Sequence, residues 1–158
     1  MITGFNHTSF TVADLDTAVR FWTEALGFEA ASVSERHGNW QGPVTGVPGA
    51  RLRVAHLYGH GHHMEFIQYL EGAGATVALA PNMPCVAHVC LEVEDIHATA
   101  GRLFDLGATP QGEMVLVDEG SEPGSWAGYI RDPNGIVIEL LELPKSRQGQ
   151  AGSRRDEG

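Results

Sequence analysis

Polar and apolar positions alternate from His7 to Val12, with Phe10 and Val12 on one parity and His7, Ser9 and Thr11 on the other. That is the pattern of a strand with one packed face. From Leu15 the period lengthens: Leu15, Ala18, Val19, Trp22 and Leu26 recur every three to four positions and mark one face of a helix. Asp14 stands where an N-cap is expected and Gly27 where a helix closes. The same succession returns from His88, with Val89, Leu91 and Val93 as the packed parity, Asp95 as N-cap, Ile96, Ala100, Leu103 and Leu106 as helix face, and Gly107 as terminator. His7 and His88 are 81 positions apart, and the closing strands of the two halves align Glu65 with Glu139 at an offset of 74. Such an internal repeat governs the fold. The pattern predicts strands near 4–12, 28–35, 51–58 and 62–69 around a helix at 15–26. It then predicts strands near 85–93, 112–118, 126–131 and 136–142 around a helix at 96–106. The expected class is α+β: paired βαβββ modules (about 1–72 and 84–143) forming a curled sheet cup, with the helices outside.

Length and charge narrow the function. A chain of 158 residues suits one domain or two small lobes. No apolar run approaches the roughly 18 residues of a membrane span, and no secretory signal opens the sequence, so the expectation is a cytoplasmic protein that does not enter membranes. Cys85 and Cys90 offer no disulfide framework. The net charge is −10, and four of the ten basic residues lie in the last fifteen positions. Without them the body holds six basic against eighteen acidic residues, which excludes a nucleic-acid surface. Residues 144–158 read as a disordered polar tail.

Strand parity points His7, Ser9 and Thr11, then His88, Cys90 and Glu92, into the cleft. Glu65 lies between Met64 and Phe66, and Glu139 between Ile138 and Leu140, so both carboxylates share the histidines' side. A carboxylate among apolar neighbours needs a partner, and a metal ion is one. Two imidazoles and two carboxylates without sulfur suit one divalent ion of nickel, cobalt, zinc, manganese or iron.

The opening NHTSFTVADLDTAVRFWTEALGF, the strand AHVCLEVEDI and the ending YIRDPNGIVIELLE resemble the vicinal oxygen chelate superfamily. That group includes glyoxalase I, methylmalonyl-CoA epimerase, extradiol dioxygenases, and fosfomycin and bleomycin resistance proteins. The resemblance covers nearly all of residues 1–143 and implies a metal in a cup of paired modules. The ligand set is closest to that of bacterial glyoxalase I, which carries over to His7, Glu65, His88 and Glu139. It also implies a small oxygen-chelating carbonyl substrate and a lyase or isomerase reaction, with Glu139 or Glu65 as general base. Two alternatives stay open: an iron(II) dioxygenase using His7, His88 and Glu139, and a drug-binding resistance protein without catalysis. Short chains of this superfamily often dimerise, so a homodimer is expected.

Arg53, Trp40, Ser9 and Cys90 are the substrate-binding candidates. Arg53 is expected to face the cleft, where a guanidinium could fork an anionic group, although a protein carboxylate would serve it equally. That assignment puts His56 on the helix side. Trp40 lies in the Gly- and Pro-rich loop 36–50, which reads as a lid, a substrate wall or a plain connection. Of His60, His62 and His63, only His63 shares the parity of Glu65.

Overall fold

The computed structural model describes residues 1–77, 79–120 and 123–147; residues 148–158, most of the expected tail, lie outside the described residues. The chain divides into two compact units, Met1–Leu79 and the part from Ala80 onward.

The first unit contains β1 (Thr8–Thr11), α1 (Leu15–Glu24), β2 (Glu29–Glu35), α2 (Gln41–Thr45), β3 (Arg51–Gly59) and β4 (His62–Glu71). Asp14 caps α1 by accepting from the Thr17 amide at 3.0 Å and the Thr17 hydroxyl at 2.9 Å, so two donors are satisfied at the helix start. The helix buries Leu15, Ala18, Phe21 and Trp22. The Trp22 ring meets Phe66 at 4.9 Å and Phe28 at 5.2 Å. Burial of each such side chain stabilises the unit by about 1.5–3 kcal/mol, and this packing fixes which face of β4 turns to the helix. The sheet order is β1-β4-β3-β2, with β1 parallel to β4 and the other pairs antiparallel.

The turn between β3 and β4 is His60-Gly61, both at positive φ (52° and 75°). A two-residue turn of that shape matches strand twist and locks the register. His60 is held there by a 2.8 Å bond to the Leu26 carbonyl, so this member of the histidine cluster secures the turn against the end of α1.

The second unit repeats the plan with β5 (His88–Glu92), α3 (Ile96–Asp105), β6 (Thr109–Pro110), β7 (Val115–Leu116), β8 (Trp126–Arg131) and β9 (Val137–Glu142). Its sheet runs β5-β9-β8-β6, and β7 also pairs β8. Asp95 caps α3 through the Ala98 amide at 2.9 Å. Ile96 and Leu103 of α3 and Ile130, Ile138 and Leu140 of the sheet are fully buried. Both sheets are unclosed, and the α+β class expected from the repeat is the one found.

Two elements depart from expectation. The single strand near 112–118 is instead two short ones, β6 and β7, which pair with opposite ends of β8. The 36–50 loop holds the five-residue helix α2, invisible in a Gly- and Pro-rich stretch. Its first residue, Gln41, is 2% exposed. The Gln41 side chain donates to the Arg36 carbonyl at 2.9 Å and to the Gly38 carbonyl at 3.2 Å, and accepts from the Leu52 amide at 3.1 Å. Those bonds pin the loop to β3.

Candidate metal and substrate site

Each unit sets its leading histidine beside a glutamate. In the first, Glu65 on β4 is the register partner of Ser9 on β1 and of His56 on β3. His7 precedes β1, and its Nε2 is 3.4 Å from Glu65 Oε1. The His7 Nδ1 is 2.7 Å from Asn6 Oδ1. An amide oxygen only accepts, so Nδ1 carries a proton and donates to Asn6, which leaves Nε2 as the ring atom turned to the carboxylate. A proton or a metal ion between that nitrogen and the carboxylate would satisfy both.

In the second unit Glu139 on β9 is the register partner of Cys90 on β5 and of Tyr129 on β8. His88 Nε2 lies 3.1 Å from Glu139 Oε2, and the His88 and Tyr129 rings are 5.0 Å apart. The repeat therefore places Ser9, Glu65 and His56 in one cross-strand row and Cys90, Glu139 and Tyr129 in its equivalent.

Donors about 2.1 Å from a shared ion at angles of about 90–110° stand about 3.0–3.4 Å apart. The His7–Glu65 and His88–Glu139 separations both fall in that range, so each pair fits as half of a divalent-metal ligand set. Among the described residues no group of three or more His, Cys, Asp or Glu side chains could hold an ion by itself; the four expected ligands form two pairs, one per unit.

The substrate-binding candidates fare unequally. Ser9 and Cys90 stand beside Glu65 and Glu139 as strand partners. Cys90 is exposed as a residue, yet loss of solvent around its sulfur, then the charge of Glu139 and a hydrogen bond to that carboxylate, push its pKa up to about 12. It stays a thiol and donates to Glu139. Trp40 is 46% exposed at the start of α2.

Arg53 does not face the site. In the β3–β4 register it opposes Gln68, on the parity of Phe66 that α1 covers. Its guanidinium forks Asp16 of α1 at 2.8 and 2.7 Å, and that bond holds the Asp16 carboxyl below its ordinary pKa of 3.8. The same register moves His56 to the site face, its Nε2 3.7 Å from Glu65 Oε2, contrary to the expected helix side. His63 shares that face, and its Nε2 is 3.0 Å from His56 Nδ1. Burial lowers the His56 pKa; the charge of Glu65 opposes this and that of Arg36 adds to it.

The model of the glyoxalase/bleomycin resistance protein/dioxygenase superfamily matches residues 4–140. The chain belongs to that superfamily. It is 30% identical over 145 residues to a 2-epi-5-epi-valiolone epimerase of Actinomyces sp, covering 88% of this chain and 79% of the relative. It is 23% identical to a probable lactoylglutathione lyase of Vibrio parahaemolyticus, covering 92% and 95% respectively. The crystal structure of a glyoxalase family protein from Bacillus cereus superposes with a TM-score of 0.76 at 28% identity, over 91% of this chain and 97% of that one. A fosfomycin resistance protein of Listeria monocytogenes, solved with Mn(II) and sulfate, shares the fold at a TM-score of 0.57 and 17% identity, over 92% and 97%. Within the superfamily, then, relatives of this chain are named as a lyase and an epimerase, and one structural neighbour holds a divalent metal. No helix among the described residues is long and apolar enough to cross a membrane.

Proposed function

We propose that this chain is a divalent-metal-dependent lyase or isomerase of glyoxalase type, moving a proton on the carbon next to a carbonyl of a small oxygen-chelating substrate. The observation that carries the reading is the pair of repeat-related His–Glu contacts, His7 with Glu65 and His88 with Glu139, each at ligand spacing. Together they would supply the four donors to one ion, within one chain or between the chains of a homodimer. A bound divalent ion would supply Lewis acidity, making the carbon beside the carbonyl more acidic.

The remaining work falls to the chain's own groups. His7 is held through Nδ1 by Asn6, with Nε2 turned to Glu65. Glu65 and Glu139 are the carboxylates able to take and return the proton, and general-base catalysis needs one of them within hydrogen-bond reach of it. The two sit on repeat-related strands, one in each unit. Cys90, a donor to Glu139, and His56, beside Glu65, give the two carboxylates different surroundings.

Hydrogen–deuterium exchange next to the carbonyl tests the reading without presuming a product. The metal-loaded full chain would be given three substrates in D2O: the hemithioacetal of methylglyoxal and glutathione, 2-epi-5-epi-valiolone, and methylmalonyl-CoA. Exchange on at least one, stopped by a chelator and with no oxygen consumed, is the expected result. Oxygen uptake with iron(II) and a catechol, without exchange, would instead establish the dioxygenase alternative.

A further inference from the structure

We infer that His63 is a specificity-determining hydrogen-bond donor, held as its Nδ1–H tautomer by a chain from Arg36 through His56, and that it reads a hydroxyl or carbonyl oxygen of an uncharged substrate. The inference rests on the proposed function only for locating the substrate beside Glu65.

The direction of every bond in that chain follows from its first member. Arg36 Nη2 is 2.8 Å from His56 Nε2. A guanidinium always donates and never accepts, so His56 Nε2 carries the lone pair and the His56 proton is on Nδ1. That Nδ1–H points at His63 Nε2, 3.0 Å away, which must therefore accept. The His63 proton is left on Nδ1. The 3.7 Å approach of His56 Nε2 to Glu65 is no ion pair, since that nitrogen is already an acceptor. Arg36 itself is steadied by its main chain, the amide donating to the Leu52 carbonyl and the carbonyl accepting from Gln41.

His63 lines a cavity of about 430 Å³ at the hairpin end of the first sheet, together with Asn6, Thr8 and Tyr58. Tyr58 stacks on the imidazole at 4.3 Å with 14° between the planes, covering one face of the ring and leaving its edge as the polar feature. Asn6 spends its oxygen on His7, so its amide N–H groups are what it can offer the cavity. His63 shares this lining with Asn6, Tyr58 and His62, and no Lys, Arg, Asp or Glu is among the described residues lining it. A lining without Lys or Arg suits an oxygen-bearing, uncharged molecule better than an anionic thioester, which would lose hydration without gaining a guanidinium or ammonium partner.

The test combines a spectroscopic and a binding readout on the full chain loaded with Zn(II). Nitrogen-15 spectra of labelled histidines should show His63 and His56 both protonated at Nδ1, and Arg36→Met should scramble both tautomers. The binding probe is scyllo-inosose, an uncharged polyhydroxylated cyclohexanone, measured by calorimetry. His63→Phe and Arg36→Met should each weaken it about five- to tenfold, the loss of one hydrogen bond. His63→Asn, whose amide nitrogen occupies the Nδ1 position, should keep the affinity within about twofold, whereas His63→Gln, which mimics Nε2, should not. A His63 proton on Nε2, unchanged binding in His63→Phe, rescue by Gln rather than Asn, or tighter binding of methylmalonyl-CoA than of scyllo-inosose would each overturn the inference. Intact tautomers and binding without proton exchange on any substrate would sink the proposed reaction and leave this donor assignment standing.

Discussion

Glu65 and Glu139 occupy equivalent register positions in two separate sheets, each opposite the first strand of its half and each within 3.4 Å of that half's leading histidine. Their neighbours differ: Ser9 and His56 flank one, Cys90 and Tyr129 the other. If both carboxylates serve the proposed proton transfer, neither can be spared. Glu65→Gln and Glu139→Gln, made separately, should each slow exchange next to the carbonyl by about 100-fold or more, with far-ultraviolet circular dichroism unchanged. Wild-type exchange in either variant would remove that residue from the mechanism.

Arg53 serves the fold of the first unit. Its fork with Asp16 ties β3 to the first turn of α1 on an exposed flank, where ion pairs contribute little. Arg53→Met should leave the exchange rate within about twofold and cost a small amount of thermal stability at neutral pH. The sign with pH follows from Asp16: its carboxyl is held below 3.8 in the folded chain, so the stabilisation is present above that pH and fades as pH falls through the lowered folded value. The melting temperatures of wild type and variant should converge in that acidic range. A large loss of activity in Arg53→Met would contradict the assignment.

Gln41 holds the 36–50 loop against β3 and carries the Arg36 carbonyl. Gln41→Leu keeps the side chain's bulk but strands buried main-chain groups, at a cost of about 1–3 kcal/mol. Urea denaturation should show that loss. Equal midpoints for variant and wild type would mean that the loop is not pinned as described.

The helices were legible because Asp14 and Asp95 each precede an apolar period of 3.6, and local capping agrees with tertiary packing. The pairing of each leading histidine with its half's glutamate is legible because β1, β4 and β5 alternate and the repeat carries that parity to β9. β3 does not: it is an inner strand, with Leu52 and Val54 buried on one face and Ala55 and Leu57 on the other, and a strand apolar on both faces conceals its parity. Arg53 and His56 were exchanged for that reason. The signal that would have placed them is the two-residue His60-Gly61 turn, since counting back from it pairs His56 with Glu65 and Arg53 with Gln68. α2 escaped notice because Gly42 and Pro43 weaken a helix of only five residues, and Trp40 gives it no side-chain cap. The strand near 112–118 is cut short because β8 pairs β6 through Ile130 and Arg131 and β7 through Trp126 and Ala127, with the Gln111 and Gly112 amides both on the Tyr129 carbonyl between them.

The proposed function requires His7, Glu65, His88 and Glu139 to hold one ion. Calorimetric titration of Mn(II) into the chelator-treated full chain, repeated for His7→Ala and His88→Ala, measures that directly. The expected result is one ion per chain in the wild type, with binding weakened by about 10-fold or more in both variants. Undiminished binding in either variant, or none in the wild type for manganese, nickel or zinc, would contradict it.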